Sequence, residues 1–399
     1  MAIDNKDKKI LNVPHLRFPE FSGEWEMVSL QDIATINPKS DPLQNTFIYI
    51  DLEAVEKGEL RKIQEIMREE APSRAQRVID NNDILFQCVR PYQKNNYIHR
   101  ILNTSNQQWV ASTGYAQIRT TELPNYIYHL LNTDEFNRKV MVRCTGSSYP
   151  AINSEDLATI HLYYTPDKKE QLKISRLLDL LDKRIATQNK IIEDLKKLKS
   201  AISKQVFAQE PNGWSRLDTL FSKGKAGGTP TSTNKEYYNG EIPFLSINDI
   251  TKQGKYVRYT ENHLSQSGLE SSSAWVVPKY SLIMSMYASV GLVSINEIPI
   301  TTSQAMFAMQ LKDKDLLDYL YYYLSYFKYR HIHKYLETGT QSNINADIVR
   351  GIMIPTYGHS RNMEIASTLQ GIDVKIDNEL SVLKLFNRQK NYLLSQMFI

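Results

Sequence analysis

The chain has 399 residues, 41% of them hydrophobic and 23% charged, with a formal net charge of +4. This is the balance of an ordinary globular protein with room for two or more cored domains, and it permits an anionic partner without requiring one. Two cysteines exclude a disulfide framework and a thiolate metal cluster, and no apolar run is long enough to span a bilayer, so a reduced, cytoplasmic setting is expected.

Met1 to Lys9 is charged and carries no apolar stretch, which is not the pattern of a secretory leader. Leu16-Arg17-Phe18-Pro19-Glu20-Phe21 is kept extended by proline and runs into Gly23-Glu24-Trp25. Phe47–Leu52 and Asp83–Val89 read as strands, being rich in β-branched and aromatic residues. Tyr126 to Arg143 has helical spacing, and Gly146-Ser147-Ser148-Tyr149-Pro150 is a polar loop. A long helix is predicted from Asp167 to Phe207, with Pro166 at its start, where proline is tolerated.

The sequence then begins again. Pro211-Asn212-Gly213-Trp214 restates Gly23 to Trp25, Ile242–Ile250 answers the first strand, and Ser281–Met286 answers the second. Tyr319 to Tyr335 answers the helix, Gly339–Asn343 answers the polar loop, and a second long helix closes the chain. The two long helices match best. Steps of four and three give Ile174, Leu178, Leu181, Ile185, Gln188, Ile192, Leu195, Lys199 and Ile202 in the first. The same walk gives Ile365, Leu369, Ile372, Ile376, Glu379, Leu383, Phe386, Lys390 and Leu393 in the second, every pair at one constant offset from Ile174/Ile365 to Ile202/Leu393. Such a step is the mark of an apolar seam facing another helix, and its repetition marks an internal duplication. If polar seam positions face each other, Lys199 meets Glu379 and Gln188 meets Lys390; the alternative is that these side chains snorkel to the seam's edge. A helix of forty residues is roughly 60 Å long.

Several segments carry chemistry suited to nucleic acid. Arg90, Tyr92, Gln93, Lys94 and Asn95 follow a buried strand, and arginine, glutamine and asparagine read base edges bidentately; an ordinary polar hairpin is the alternative. Tyr287 and Ser289 hold the corresponding place in the second copy. Ser147, Ser148 and Tyr149, and likewise Thr340, Gln341, Ser342 and Asn343, offer amides and hydroxyls for phosphates or bases, or simply a tight turn before a helix. Lys223, Lys225 and Gly227, with Thr229 and Thr231, read as a flexible basic loop for a DNA backbone. It is not a nucleotide loop, because no Gly-Lys-Ser/Thr follows at the required spacing. The face Leu320, Tyr323, Leu324 and Phe327 reads as core rather than as a stacking platform. His331 and His333 lie two apart on a helix and diverge, so no metal pair is expected. Adenine-methyltransferase, nuclease and dinucleotide motifs are all absent.

Taken in this order and in duplicate, these pieces resemble the specificity subunits of type I restriction–modification systems over nearly the whole chain. The opening Leu16–Phe21 with Gly23–Trp25, the run Gly227-Gly228-Thr229-Pro230 followed by Tyr237–Pro243, and Gly339-Thr340-Gln341 with Ile344 carry the likeness. The first copy departs from it, with Ile36-Asn37-Pro38-Lys39 in place of the glycine run and no glutamine in Gly146–Tyr149. The resemblance implies an α/β (α+β) protein: target-recognition domains at 1–165 and 210–357, spacer helices at 166–209 and 358–399, and an antiparallel coiled-coil pairing with pseudo-twofold symmetry. It implies a subunit without a catalytic centre that reads a two-part site in double-stranded DNA. Two methyltransferase subunits carrying S-adenosylmethionine are its implied partners, joined in the restricting complex by restriction/motor subunits that use ATP and Mg. A structural coiled-coil adaptor without DNA contact, and a divergent self-sufficient nuclease or methyltransferase, are the competing readings.

Overall fold

The computed structural model describes residues 12–100, 107–335 and 343–399. The chain divides into two compact units, residues 1–189 with 381–399 and residues 190–380. Each unit therefore joins a globular part to stretches of both long helices, Lys168–Phe207 and His359–Gln396.

In the first unit, the short antiparallel ribbon Glu26–Ser29 with His161–Tyr164 accompanies two four-stranded sheets. One sheet runs Ala34–Ile36, Tyr115–Thr120, Ile84–Gln87, Tyr97–Ile98; the other runs Gln64–Met67, Thr46–Ile50, Gln108–Ser112, Ala75–Val78. The strand Ile84–Gln87 is buried throughout. The helical spacing from Tyr126 resolves into two helices, Pro124–Leu131 and Asp134–Arg143, because Thr133 caps the second by accepting the Phe136 N–H. The largest core packs Trp25, Tyr126 and Leu162 around Ile174, Leu178 and Leu181 of the first long helix, Leu393 of the second, and Met397 just past its end. Ile185 and Phe386 pack against that core.

The opening segment is clamped to this end. The Arg17 guanidinium forks onto the Glu170 carboxylate at 2.7 and 2.8 Å, and Thr165 Oγ1 donates to the same carboxylate at 2.7 Å. Leu16 N–H donates to the Gln396 carbonyl at 2.8 Å.

The second unit repeats the plan. Its ribbon is Gly213–Arg216 with Met353–Thr356, and its main sheet runs Phe221–Ala226, Met306–Leu311, Leu282–Ser285, Val293–Asn296, Tyr256–Val257. A three-stranded sheet, Asn262–Leu264, Tyr238–Leu245, Thr301–Thr302, completes it. In both units the second sheet contains a parallel pair, Thr46–Ile50 with Gln108–Ser112 and Tyr238–Leu245 with Thr301–Thr302. Asn153 and Asn345 each cap the short helix that follows, accepting from Asp156 N–H and Ile348 N–H. Ile365 and Leu369 lie in the core with Phe207, and Ile202 packs against it.

Three expectations need correction. The strand expected over Ile242–Ile250 ends at Leu245, and Ile247–Gln253 is a helix opened by a Ser246/Asp249 capping box. Tyr319–Tyr335 is helical only as Leu317–Arg330, followed by a 3-10 turn at Ile332–Tyr335. Trp214 does not match Trp25. The ribbon registers pair Met27 with Tyr163 and Trp214 with Pro355, so Trp214 stands where Met27 does, and both are exposed while Trp25 is buried.

The seam register also differs. Lys199 Nζ donates to Asp373 Oδ1 at 2.5 Å, and Lys390 Nζ meets Asp182 Oδ1 at 2.6 Å. Asp182 and Asp373 are separated by the same offset as Lys199 and Lys390, so the two ion pairs are one design used twice. Glu379 receives Lys375 from its own helix instead of Lys199. Of the expected seam residues, Ile174, Leu178, Leu181, Ile192, Ile365, Leu369, Ile376 and Leu393 are buried, and Ile185, Leu195, Ile202, Ile372, Leu383 and Phe386 are half-buried.

Candidate nucleic-acid interface

In the first unit two loops that are distant in sequence are tied together where the buried strand Ile84–Gln87 ends. The Cys88 carbonyl accepts the Ile152 N–H at 3.1 Å, Val89 bridges to Ala151, and Arg90 N–H donates to the Pro150 carbonyl at 2.7 Å. This brings Arg90–Asn95 alongside Gly146–Pro150. Arg90 and Lys94 flank the 3-10 turn Pro91–Gln93 and both adopt left-handed backbone, with φ of 54° and 52°. Each such non-glycine residue costs about 1–3 kcal/mol, a strain that clusters at functional sites.

The side chains divide into two groups. Gln93, Lys94 and Asn95 hold the loop to its scaffold. Gln93 Oε1 accepts from Gln87 at 3.0 Å, Lys94 Nζ pairs with Asp134 at 2.6 Å, and Asn95 Oδ1 accepts the Lys57 N–H at 3.0 Å. Tyr92, Ser147, Ser148 and Tyr149 face solvent, and the Arg90 guanidinium lies 4.3 Å from the centre of the Tyr149 ring. Stacking leaves an arginine's donors pointing outward, where a base edge or phosphate can take them. Each of these residues was legible as a candidate; that Arg90 and Tyr149 form one stack was not, since only the fold brings them together. Burial pushes the neighbouring Cys88 thiol up to about 12, which makes it a packing residue rather than a nucleophile.

The second unit repeats the junction. The Met286 carbonyl accepts the Ile344 N–H at 3.0 Å, so the loop after Leu282–Ser285 lies beside the start of the segment that follows residue 342. Ala288 and Ser289 are left-handed, with φ of 34° and 52°, and the Ser285 hydroxyl donates to the Ser289 carbonyl at 2.7 Å. Tyr287 and Ser289 are exposed, and Asn343 is half-buried. Thr340, Gln341 and Ser342 lie outside the described residues.

The basic segment Lys223–Ala226 is not a flexible loop. It belongs to the strand Phe221–Ala226 at the edge of the five-stranded sheet, where alternation exposes Lys223 and Lys225. Lys223 Nζ lies 4.3 Å from the Trp275 ring centre, and Lys225 Nζ donates to the Ser273 carbonyl at 3.2 Å. Gly227 serves packing: a Cβ there would lie 1.9 Å from the Thr302 carbonyl oxygen. Thr229 and Thr231 are exposed beyond it.

His331 closes the helix and His333 sits in the 3-10 turn. Among the described residues no group of three or more His, Cys, Asp or Glu is placed to hold a metal, and no helix is long and apolar enough to cross a membrane. Leu320, Tyr323, Leu324 and Phe327 are buried in the core.

The comparisons with known proteins meet this geometry. The family model of the type I restriction modification DNA specificity domain matches twice, over residues 22–197 and 211–383. The chain belongs to this family. The two specificity domains carry the two repeated junctions, and the role of the chain is DNA sequence recognition rather than catalysis. It is 22% identical over 380 residues to the type I restriction enzyme HindI specificity subunit of Haemophilus influenzae, a match covering 75% of this chain and 78% of that protein. It is 27% identical over 158 residues to the MjaIX specificity subunit of Methanocaldococcus jannaschii, covering 38% of this chain and 36% of that one. Its fold is similar to a chain of a type I R-M system solved for its complex assembly and conformational transition, with a TM-score of 0.60, 21% identity and coverage of 94% and 97%. The type I restriction-modification S subunit from M. genitalium superposes with a TM-score of 0.59 at 14% identity, covering 97% and 99%.

Proposed function

We propose that each unit reads one half of a bipartite site in double-stranded DNA through its paired loops, and that the helix pair sets the gap between the halves. The observation that carries this reading is the repeated junction: in both units a buried strand ends in a left-handed, exposed loop pinned to the segment before the short Asn-capped helix. The loops differ in composition, with Arg90, Tyr92 and Tyr149 against Tyr287 and Ser289, as two readers of different half-sites require. The subunit docks two methyltransferase subunits that bring S-adenosylmethionine. In the restricting complex it is joined by motor subunits that use ATP and Mg. The site of action is the cytoplasm. Mapping adenine methylation in cells that express the methyltransferase subunit with and without this chain tests the reading. A two-part motif with a fixed gap is expected only when the chain is present; the same methylation without it would overturn the proposal.

A further inference from the structure

Each unit has an open groove between the long helices and its globular part, and the floors of the two grooves are built alike. In the second unit Lys199, Asp373 and Ile376 line a groove of about 350 Å³. In the first unit their counterparts in the repeat, Lys390, Asp182 and Ile185, line one of about 320 Å³. The rims differ in charge. In the first, Asn387 and Asn391 stand on the helix, Arg61 and Lys94 are neutralised by Glu59 and Asp134, and Lys57 alone of the rim cations is left without a salt bridge among the described residues. In the second, Lys196 and Lys204 replace Asn387 and Ser395, and Arg330 faces them from the helix Leu317–Arg330. None of these three cations forms a salt bridge among the described residues, and Asp373 is already taken by Lys199 and by the Tyr322 hydroxyl at 2.8 Å.

This cationic rim is continuous with the candidate reading loop. A Cβ on Gly291, two residues past Ser289, would lie 3.3 Å from Lys328 Cγ. The Lys328 ammonium lies 5.6 Å from the centre of the Tyr329 ring, which is 79% exposed and lines the groove. Lys196, Lys204 and Arg330 line this groove together with Tyr329, and the Ser200 and Ser203 hydroxyls lie in its wall. Cations with hydroxyl donors and an exposed aromatic are the composition that tracks a phosphodiester backbone.

We infer that the second unit's groove is a DNA-backbone contact, in which Lys196, Lys204 and Arg330 hold phosphates flanking the half-site read by the Tyr287–Gly291 loop. This rests on the DNA-reading role proposed above. An acidic surface of a partner protein is the competing occupant. A phosphate contact fixes position and carries no sequence information, so its loss weakens binding alike on every sequence.

The test uses the complex of this chain with its methyltransferase subunits, comparing wild type with Lys196→Gln/Lys204→Gln and, separately, Arg330→Gln. Binding to a duplex bearing the mapped motif and to an unrelated duplex is measured across salt concentrations. The slope of log affinity against log salt is expected to become shallower by about 1.8 for the double variant and about 0.9 for the single one. Affinity should fall by the same factor on both duplexes, with the methylation motif unchanged. Unchanged slopes overturn the assignment. So does loss of methyltransferase subunits at an unchanged slope, which would make the groove a protein dock. Discrimination lost while the slope holds overturns it too. A wild-type complex that does not prefer its motif would instead refute the reading role itself.

Discussion

The Glu170 carboxylate is fully buried, and what makes that tolerable is the two-pronged Arg17 guanidinium with Thr165 behind it. The pairing holds the Arg17 pKa above its ordinary value, chiefly through the hydrogen bonds to Glu170. Removing one partner leaves an uncompensated buried charge, whereas removing both leaves an apolar contact. Arg17→Met should therefore cost the first unit about 3–5 kcal/mol in denaturant unfolding, and Arg17→Met/Glu170→Leu should recover most of it. A neutral Arg17→Met would show that the clamp contributes nothing. His99 makes the opposite kind of demand. It is fully buried against Trp109, with ring centroids 5.0 Å apart, and neither ring nitrogen has a hydrogen-bond partner among the described residues. Burial pushes its pKa below the usual 6.5, although the Asp83 and Asp80 charges pull the other way. The unfolded chain then takes up a proton near pH 6.5 that the folded one refuses, so the stability present above that pH is lost as pH falls through the window beneath it. The slope from this one group is about 1.4 kcal/mol per pH unit. Urea midpoints followed from about pH 7.5 to about 5.5 should drop, and His99→Phe should flatten that drop. An unchanged pH profile in His99→Phe would exclude the histidine as its source.

At the level of elements, the paired lysine–aspartate contacts let the duplication be tested energetically. Lys199–Asp373 and Lys390–Asp182 occupy equivalent places, and each member is between a fifth and a third exposed. Double-mutant cycles with Lys→Met and Asp→Leu should give couplings that agree with each other and stay below about 1 kcal/mol, as solvent-screened pairs do. Couplings that differ by more than that would mean the two contacts no longer share a role. The helices themselves were legible because their period is local, and so was the constant offset between the two copies. Their partners were not: Asp182 and Asp373 stand off the four–three walk, and only three-dimensional packing shows that they reach the lysines. The same limit explains the segment Ile242–Ile250. An apolar alternation fits strand and helix ends alike, and the deciding signal was the short capping pair Ser246 and Asp249. Gly227 read as part of a flexible basic loop because its true constraint, the Thr302 carbonyl, comes from a strand far along the chain. The loops were found by their residue types, but which side chains hold the loop and which face outward depended on contacts such as Lys94 with Asp134.

For the whole molecule, the way the cores are built decides where a reader can be exchanged. Trp25 and Tyr126 pack on Phe398, with ring centroids 6.1 and 5.5 Å apart, and Leu393 and Met397 lie in the same core. In the second unit Phe207, the counterpart of Phe398 in the repeat, packs on Tyr319 and Tyr323 in the same way, at 6.1 and 5.3 Å. A globular part is thus sealed by the far end of the helix that does not follow it directly. Replacing residues 1–165 wholesale sets a foreign core against Leu393, Met397 and Phe398, and mismatched packing there costs about 1–3 kcal/mol or more. Replacing only residues 37–151 keeps Trp25, the ribbon Glu26–Ser29 with His161–Tyr164, and the helix ends, but it exchanges both loops of the junction; the incoming segment must keep Tyr126 and the helix Pro124–Leu131 that carries it. Such a chimaera, made with a family member of different specificity and expressed with the methyltransferase subunit, should methylate a motif with one half changed. The other half and the gap should stay as they were. A change in both halves, or in the gap, would mean that recognition is not divided between the units.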